Sequence, residues 1–125
     1  MKEIQTSQAP SAIGPYSQAI AHNGFLYVSG QLPLDPVSGA IVGDDAATQI
    51  VQCLANIRAI VQAAGSDMNK TVKTTVLMTD LAEFQAVNEA YGQFFQAPYP
   101  ARATYQVAAL PRSARVEVEA VLAFD

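Results

Sequence analysis

An apolar stripe between Asp44 or Asp45 and Ala64 constrains the fold of this chain most strongly. The apolar side chains recur at alternating steps of three and four residues, which places them on one face of an α-helix. They are Ala47, Ile50, Leu54, Ile57, Val61 and Ala64. Either aspartate can cap the first turn, and Gly65 is a natural C-terminal stop. The segment therefore predicts a long amphipathic helix whose apolar face packs against another layer.

The sequence before this helix predicts a strand pair and a loop. Gln18 to His22 and Phe25 to Ser29 are β-prone, and Asn23-Gly24 between them is a strong hairpin-turn signal. Leu32 to Gly43 is rich in Pro, Gly and Asp and predicts a loop, with a short strand near Ala40 to Val42.

A further strand and a second helix follow. Thr71 to Met78 is a β-branched strand, and Asp80 with Glu83 resembles a capping box at a helix start. The predicted buried stripe of that helix comprises Phe84, Val87, Tyr91 and Phe94 or Phe95.

The end of the chain predicts two strands that complete a sheet. Pro98 and Pro100 stop the second helix, and strands follow at about Ala103 to Ala108 and Arg115 to Phe124. The order ββαβαββ predicts an α+β fold with both helices on one face of a mixed sheet. A length of 125 residues fits one domain, residues 1–125.

The last strand and the low charge content suggest association between subunits. Val116, Val118 and Ala120 alternate with Glu117, Glu119 and Val121, so neither face of that strand is uniformly polar. Only 14% of the residues are charged, although a small monomer needs many polar residues to coat its surface. We therefore expect other subunits to cover part of this surface.

The charge balance argues against nucleic acid as a partner. The chain has seven basic and eleven acidic residues, whereas a nucleic-acid-binding protein usually has a basic excess. Arg112 and Arg115 lie beside an acidic strand and are typical of a solvated turn. One cysteine excludes an intrachain disulfide, and no apolar run of about 18 residues or signal-peptide pattern occurs. These features predict a cytoplasmic protein that binds no membrane.

No metal or cofactor is expected. The single histidine, His22, precedes the predicted hairpin turn and is interpreted as a surface residue, while Cys53 falls at helix spacing among apolar residues and is interpreted as a packing residue. No phosphate-binding or dinucleotide fingerprint occurs.

Two charges stand inside β-prone sequence and need a reason. Arg102 carries a planar fork of donors that matches a carboxylate, so a semi-buried Arg102 suggests an acidic ligand. Glu117, between two valines, is the candidate proton carrier or water-orienting group of the same pocket. On sequence alone, Arg102 could equally pair with a carboxylate across a subunit interface, and Glu117 is not distinguished from Glu119.

Several motifs in a fixed order resemble the YjgF/RidA (reactive intermediate deaminase) family. They are Gly14-Pro15-Tyr16-Ser17, Ser29-Gly30-Gln31, Val72-Lys73-Thr74-Thr75-Val76, Val87-Asn88-Glu89-Ala90-Tyr91, Pro100-Ala101-Arg102-Ala103-Thr104 and Arg115-Val116-Glu117-Val118-Glu119. The resemblance covers the chain from about Ile13 to Phe124. It implies a chorismate-mutase-like homotrimer with a barrel-like centre and active sites in the clefts between subunits.

The same resemblance implies an activity and a site. Family members hydrolyse enamines and imines such as 2-aminoacrylate, 2-iminobutanoate and 2-iminopropanoate to 2-keto acids and ammonia, without a cofactor. By the resemblance, Arg102 clamps the substrate carboxylate and Glu117 positions or activates water. The Thr104 carbonyl and the Gly30 N–H contact substrate or water, and Tyr16, Ser29 and Asn88 line the cleft.

Alternatives stay open for these residues and for the activity. Tyr16 could be a packed turn aromatic, Asn88 a solvated amide, and Ser29 and Gly30 residues that serve only a turn. Thr104 stands where the family often has cysteine, and the connection from Phe95 to Pro100, with Tyr99, is short; both leave the substrate open. Other family members act on 2-aminomuconate or are described as ribonucleases, translation inhibitors or chaperones.

Overall fold

Six strands form one mixed sheet in the structure, a computed structural model that describes residues 1–124. The strands are β1 (Lys2–Ile4), β2 (Ala19–His22), β3 (Phe25–Gln31), β4 (Thr71–Met78), β5 (Ala101–Gln106) and β6 (Val116–Ala123), and the helices are α1 (Ala46–Ala63) and α2 (Phe84–Gly92). The sheet order is β1-β2-β3-β6-β4-β5, in which only β4 and β5 are parallel neighbours. This arrangement confirms the α+β fold and the predicted ββαβαββ order, to which β1 adds an edge strand that the sequence did not reveal.

The first helix begins and ends where the sequence predicts. The Asp45 side chain accepts a hydrogen bond from the Thr48 N–H at 2.7 Å, and Gly65 follows the helix with a φ of 81°, a left-handed conformation that glycine adopts readily. Four of the predicted stripe residues are fully buried, namely Ile50, Leu54, Ile57 and Val61. The buried face is wider than predicted because Cys53 and Ile60 also belong to the core.

The start of the second helix differs from the prediction. Asp80 accepts from the Ala82 N–H at 2.9 Å and opens a short 3₁₀ turn, so α2 begins only at Phe84. Glu83 does not close a capping box. Its carboxylate instead accepts hydrogen bonds from the Ala46 N–H and from Arg115, each at 3.1 Å, because a helix N-terminus and a guanidinium together attract the anion more strongly.

The second helix also ends earlier than expected. It stops at Gly92, before Phe94 and Phe95, so the prolines at 98 and 100 are not what ends it. Phe95 is buried from the following turn, with its ring centre 4.8 Å from that of Tyr91. The aromatic stripe therefore reaches the core as predicted, although its last members lie beyond the helix.

The two faces of the sheet have different environments. One face lies under the helices and buries alternate strand residues, including Val76, Met78, Val116, Val118 and Leu122. The intervening residues Tyr27, Leu77, Glu117, Glu119 and Val121 occupy the other face, where they are half-buried or exposed. No helix covers that second face among residues 1–124.

None of the helices in that part of the chain is long and apolar enough to cross a membrane.

A buried amide fixes the long loop between β3 and α1. Asn56 is 1% exposed, and its Nδ2 donates to the carbonyl oxygens of Leu32 and Leu34 at 3.2 and 3.0 Å. Leu34 in turn forms an isolated antiparallel bridge with Ile41, at the place of the predicted short strand. The loop therefore depends on α1 for two of its backbone hydrogen bonds.

Replacing this amide should destabilise the protein. Asn56→Leu keeps the branched shape of the side chain but removes both donated hydrogen bonds and leaves the Leu34 carbonyl without a donor, so we expect a loss of about 2 to 4 kcal/mol in the free energy of unfolding, measured by urea titration at fixed protein concentration. Asn69→Ala, at an exposed position, is the control and should stay within about 0.5 kcal/mol of the parent. Equal losses in the two variants would contradict this account of the loop.

Candidate active site

A β-bulge shapes the edge of the first candidate site. Val28 pairs with Ala120 and Gln31 pairs with Val118, so Ser29 and Gly30 together stand opposite one residue of β6. Such a bulge bends its strand and redirects side chains, and bulges are common beside active sites. The Ser29-Gly30 motif is therefore an irregularity within β3 and not a turn that ends it.

The bulge borders a cavity of about 480 Å³. Four of the predicted site residues line it: Tyr16, Ser29, Gly30 and Glu117. Its wall also contains Gln18, Gln31 and Arg112, which sequence reasoning did not assign to the site. We call this group, with the four predicted residues, the acid cavity.

Hydrogen bonds hold the polar wall of the acid cavity in place. The Ser29 hydroxyl donates to the Ser17 carbonyl, and the Tyr16 hydroxyl accepts from the Ile13 N–H at 3.4 Å. Gln18, which is almost fully buried, accepts from the Thr6 N–H and donates to the Pro10 carbonyl, each at 2.8 Å. Tyr16 remains 49% exposed, so it lines an opening and is not a packed turn aromatic.

Gly30 lies against the carboxylate of Glu117. A Cβ added at position 30 would lie 2.8 Å from Glu117 Oε2, too close for ordinary contact. A side chain at this position would therefore displace the carboxylate. Glycine is thus required at position 30 by the space that Glu117 occupies, in addition to any need for backbone flexibility.

Glu117 is half-buried on the sheet face away from the helices. Burial, and secondarily the nearby charge of Glu119, raises its pKa above the ordinary value of 4.5. A carboxyl group with a raised pKa exchanges protons closer to neutral pH, which suits general acid and base chemistry.

Arg102 occupies a second candidate site on β5. Its Nη1 donates to Asn88 Oδ1 at 2.8 Å, and its Cζ lies 4.8 Å from the ring centre of Tyr91 and 5.6 Å from that of Phe84. Asn88 is therefore a partner of the arginine. Tyr99 lies in the same shallow pocket, and we call these five residues the arginine cradle.

The arginine cradle is anchored in the core through Tyr91. The hydroxyl groups of Tyr91 and Thr74 are 2.6 Å apart, and burial raises the pKa of Tyr91. The sequence assigned Tyr91 to the core only. Its spacing of three residues from Asn88, which places both on one helix face, was the available signal for its role in the cradle.

The exposure of Arg102 differs from the prediction. Arg102 is exposed and not semi-buried, because β5 is the last strand of the sheet and its outer edge has no neighbour among residues 1–124. No carboxylate of those residues forms a salt bridge with it. The guanidinium is thus oriented by an amide and two rings, with donors left for a ligand.

Within one chain, the structure does not bring the two predicted catalytic residues together. Arg102 pairs with Thr74 of β4, whereas Glu117 pairs with Leu77, and an odd spacing along a strand places the two on opposite faces of the sheet. Thr104 is half-buried on β5 and shares the face of Arg102. The acid cavity and the arginine cradle are therefore two separate candidate sites within one chain.

His22 and Cys53 lie outside both candidate sites. His22 is exposed at the end of β2, and Cys53 is buried under β6 with its Sγ 3.7 Å from the Val116 carbonyl oxygen. Burial raises the pKa of this thiol far above its usual range, so it stays protonated. Among residues 1–124, no group of three or more His, Cys, Asp and Glu side chains is placed to hold a metal ion.

Comparison with known proteins supplies close relatives. The family model described as Endoribonuclease L-PSP matches residues 6–124. The chain is 55% identical to a RutC family protein of Sinorhizobium fredii, with 98% of this chain and 97% of the relative covered. It is 52% identical to the 2-iminobutanoate/2-iminopropanoate deaminase of Bos taurus, with 96% and 88% covered.

Solved structures share the fold over the whole chain. RidA from an Antarctic Psychrobacter superimposes with a TM-score of 0.95 at 43% identity, covering 99% of this chain and 100% of the other. TdcF of E. coli, solved with bound serine, superimposes with a TM-score of 0.94 at 41% identity and covers 100% of both chains.

The raised pKa of Glu117 predicts how stability depends on pH. Because the folded state holds this proton more tightly than the unfolded state, Glu117 lowers stability increasingly as the pH rises from 4.5 through its folded-state pKa. Glu117→Gln removes that effect. We expect the variant to melt at a higher temperature than the parent at pH 7, and the difference to shrink at about pH 4.

Glu119→Gln is the matched control for this measurement. It removes the charge of Glu119, the smaller cause of the raised pKa, and leaves Glu117 buried. It should therefore lower the pKa of Glu117 without abolishing the pH dependence of stability. If the melting temperatures of Glu117→Gln and the parent differ by the same amount at both pH values, the raised pKa of Glu117 is contradicted.

Proposed function

The chain belongs to the YjgF/RidA family, and from that premise we propose that it hydrolyses 2-imino acids and their enamine tautomers to 2-keto acids and ammonia. Relatives at 51 to 52% identity are named 2-iminobutanoate/2-iminopropanoate deaminase. The observation that carries the proposal is the pair of half-sites: an oriented arginine suited to a carboxylate, and a half-buried carboxyl group with a raised pKa. The expected substrates are 2-aminoacrylate, 2-iminobutanoate and 2-iminopropanoate.

The chemistry follows from these two groups. Arg102 binds the substrate carboxylate through two parallel N–H donors and so fixes the imine carbon. Glu117 accepts a proton from water as the water oxygen attacks that carbon, and this proton passes to the imine nitrogen, which gives a carbinolamine. Glu117 then takes the proton of the carbinolamine hydroxyl and returns it to the amino nitrogen, so the C=O bond forms as the C–N bond breaks, and ammonia leaves with a 2-keto acid as the other product. An enamine first takes a proton at its terminal carbon and loses one from nitrogen, which makes it the imine.

The separation of the half-sites supports a site shared between two copies of the chain. Within one copy, the Arg102 and Glu117 side chains are on opposite sheet faces, so neither could act on a substrate held by the other. The outer edge of β5 has no strand neighbour among residues 1–124, and the helix-free sheet face exposes Tyr27 and Tyr105. A closed homotrimer would cover these surfaces and place the arginine cradle of one subunit at the acid cavity of the next.

Other family activities fit the observations less well. An RNA-directed role, to which the family description points, needs a basic surface, whereas this chain carries a net charge of −4. Cofactor independence and a cytoplasmic location are part of the proposal. A hydrolytic deaminase for 2-aminomuconate remains the alternative if small imines are not turned over.

Substitutions in each half-site should reduce turnover. With a threonine dehydratase generating 2-iminobutanoate, Arg102→Ala should cost roughly 2 to 4 kcal/mol, or about 30- to 1000-fold in kcat/KM for 2-ketobutanoate formation. Arg102→Lys should recover little, because an ammonium group cannot form the bidentate pair. Glu117→Gln should lower kcat by roughly 10²- to 10⁴-fold.

The matched control for the arginine is Arg58→Ala. Arg58 also stacks on an aromatic ring, with its Cζ 5.2 Å from the Phe94 ring centre, but lies in neither half-site. It should retain parental activity. If the parent gives no acceleration over buffer, or if Arg102→Ala and Glu117→Gln both stay fully active, the deaminase proposal fails.

A mixing experiment tests whether the site is shared. Arg102→Ala and Glu117→Gln chains, each inactive alone, are unfolded, combined at equal amounts and refolded. If sites form between subunits, about one quarter of them pair an intact arginine cradle with an intact acid cavity, and about a quarter of parental activity should return. Light scattering should give about three times the 13.3 kDa chain mass. No recovery on mixing, or a stable monomer, would contradict the shared site.

A further inference from the structure

One arginine in the acid cavity has no assigned role. Arg58 and Arg102 lie over aromatic rings, and Arg115 pairs with Glu83 at 3.1 Å. Arg112 alone among the four makes no hydrogen bond, ion pair or ring contact within residues 1–124. Its charge is therefore available to a ligand.

The backbone holds Arg112 in an unusual conformation at the cavity wall. Arg112 has φ 61° and ψ 22°, and Ser113 has a φ of 58°, so two successive residues other than glycine are left-handed. Residues with side chains rarely adopt this region, and such conformations cluster at ligand-binding sites. The turn therefore carries a conformational cost while it places Arg112 on the wall of the cavity that contains Glu117.

The size and charge of the acid cavity extend the argument. A volume of about 480 Å³ lies within the range of pockets that enclose drug-sized ligands, well above the needs of a three- or four-carbon imino acid. In the proposed function, Arg102 of a neighbouring copy binds the carboxylate next to the imine. Arg112 then supplies a second cation in the same cleft, suited to an anionic group at the far end of the substrate.

Resting on the proposed deaminase function, we propose that Arg112 is a specificity-determining residue that binds the distal acidic group of 2-imino dicarboxylic acids. Oxidation of acidic amino acids, or elimination of water from their 3-hydroxy derivatives, supplies imines of this class. The solvated-turn interpretation of Arg112 would then describe the free protein only, since a bound dicarboxylate would pair with the guanidinium.

The test compares two imines on the same preparations. An L-aspartate oxidase generates 2-iminosuccinate from aspartate, and a threonine dehydratase generates 2-iminobutanoate; the appearance of oxaloacetate and 2-ketobutanoate is followed. The readout is the ratio of kcat/KM for the dicarboxylate to that for the monocarboxylate. Arg112→Ala should lower this ratio by about 10- to 100-fold, through KM of the dicarboxylate, and Arg112→Lys should retain part of it.

Two further variants distinguish the effect of the guanidinium from the effect of the backbone strain. Arg112→Gly removes the side chain and relaxes the left-handed turn, so it should be as unselective as Arg112→Ala but melt at a higher temperature. Ser113→Gly relaxes the neighbouring residue while it keeps the guanidinium, and should keep the parental ratio.

The outcomes distinguish this inference from the proposed function. If neither imine is hydrolysed faster than in buffer, the deaminase function itself fails. If 2-iminobutanoate is hydrolysed but the ratio is the same in parent and Arg112→Ala, only the role of Arg112 is overturned. The role is equally overturned if Arg112→Ala instead dissociates the oligomer, since Arg112 would then pair with a carboxylate of the neighbouring subunit.

Discussion

The packing of α1 against the sheet is the contact on which the rest of the structure depends. Ile50, Leu54 and Ile57 are fully buried against the strand residues beneath them, and burying each such side chain contributes about 1.5 to 3 kcal/mol. The same helix anchors the β3–α1 loop through Asn56 and receives Glu83 at its N-terminus. Because α1 and α2 occupy one face of the sheet, every second residue of β3, β4 and β6 is left on the other face. That alternation creates both the core and the surface on which Glu117 lies.

The sequence predicted the elements that have a strong period or clear stop signals. The α1 stripe, the Asn23-Gly24 hairpin and the alternation along β6 were correct because each depends on local spacing alone. One failure concerns a residue with competing partners, and another concerns a very short strand. Glu83 binds α1 and Arg115, which are remote in sequence, so no local pattern could show that it would leave the capping box. β1 has only three residues and pairs at the sheet edge, too short for a periodic signal.

The sequence motifs named candidate site residues but could not show how these residues are arranged. Ordered motifs identified Tyr16, Ser29, Gly30 and Glu117, which share one cavity, and Asn88 and Arg102, which share one hydrogen bond. The separation of these sets depends on register: Arg102 stands opposite Thr74 and Glu117 opposite Leu77. Register is fixed by how strands pair in the folded protein, and the hydrophobic period of a single strand does not reveal it. Phe84 and Tyr91, whose rings orient Arg102, were recognised only as core residues for the same reason.

The arginine cradle and the acid cavity place their charged groups in opposite environments. Arg102 stays exposed, and rings and an amide limit its motion, so its orientation is stabilised without removing its charge from water. Glu117 is partly withdrawn from water, which destabilises its anion and raises its pKa. An anion clamp must remain charged and hydrated until its ligand arrives, whereas a proton carrier needs a charged form that is easily neutralised. Placing the two on opposite sheet faces allows both environments in a small chain, and association of copies is then the step that would bring them to one substrate.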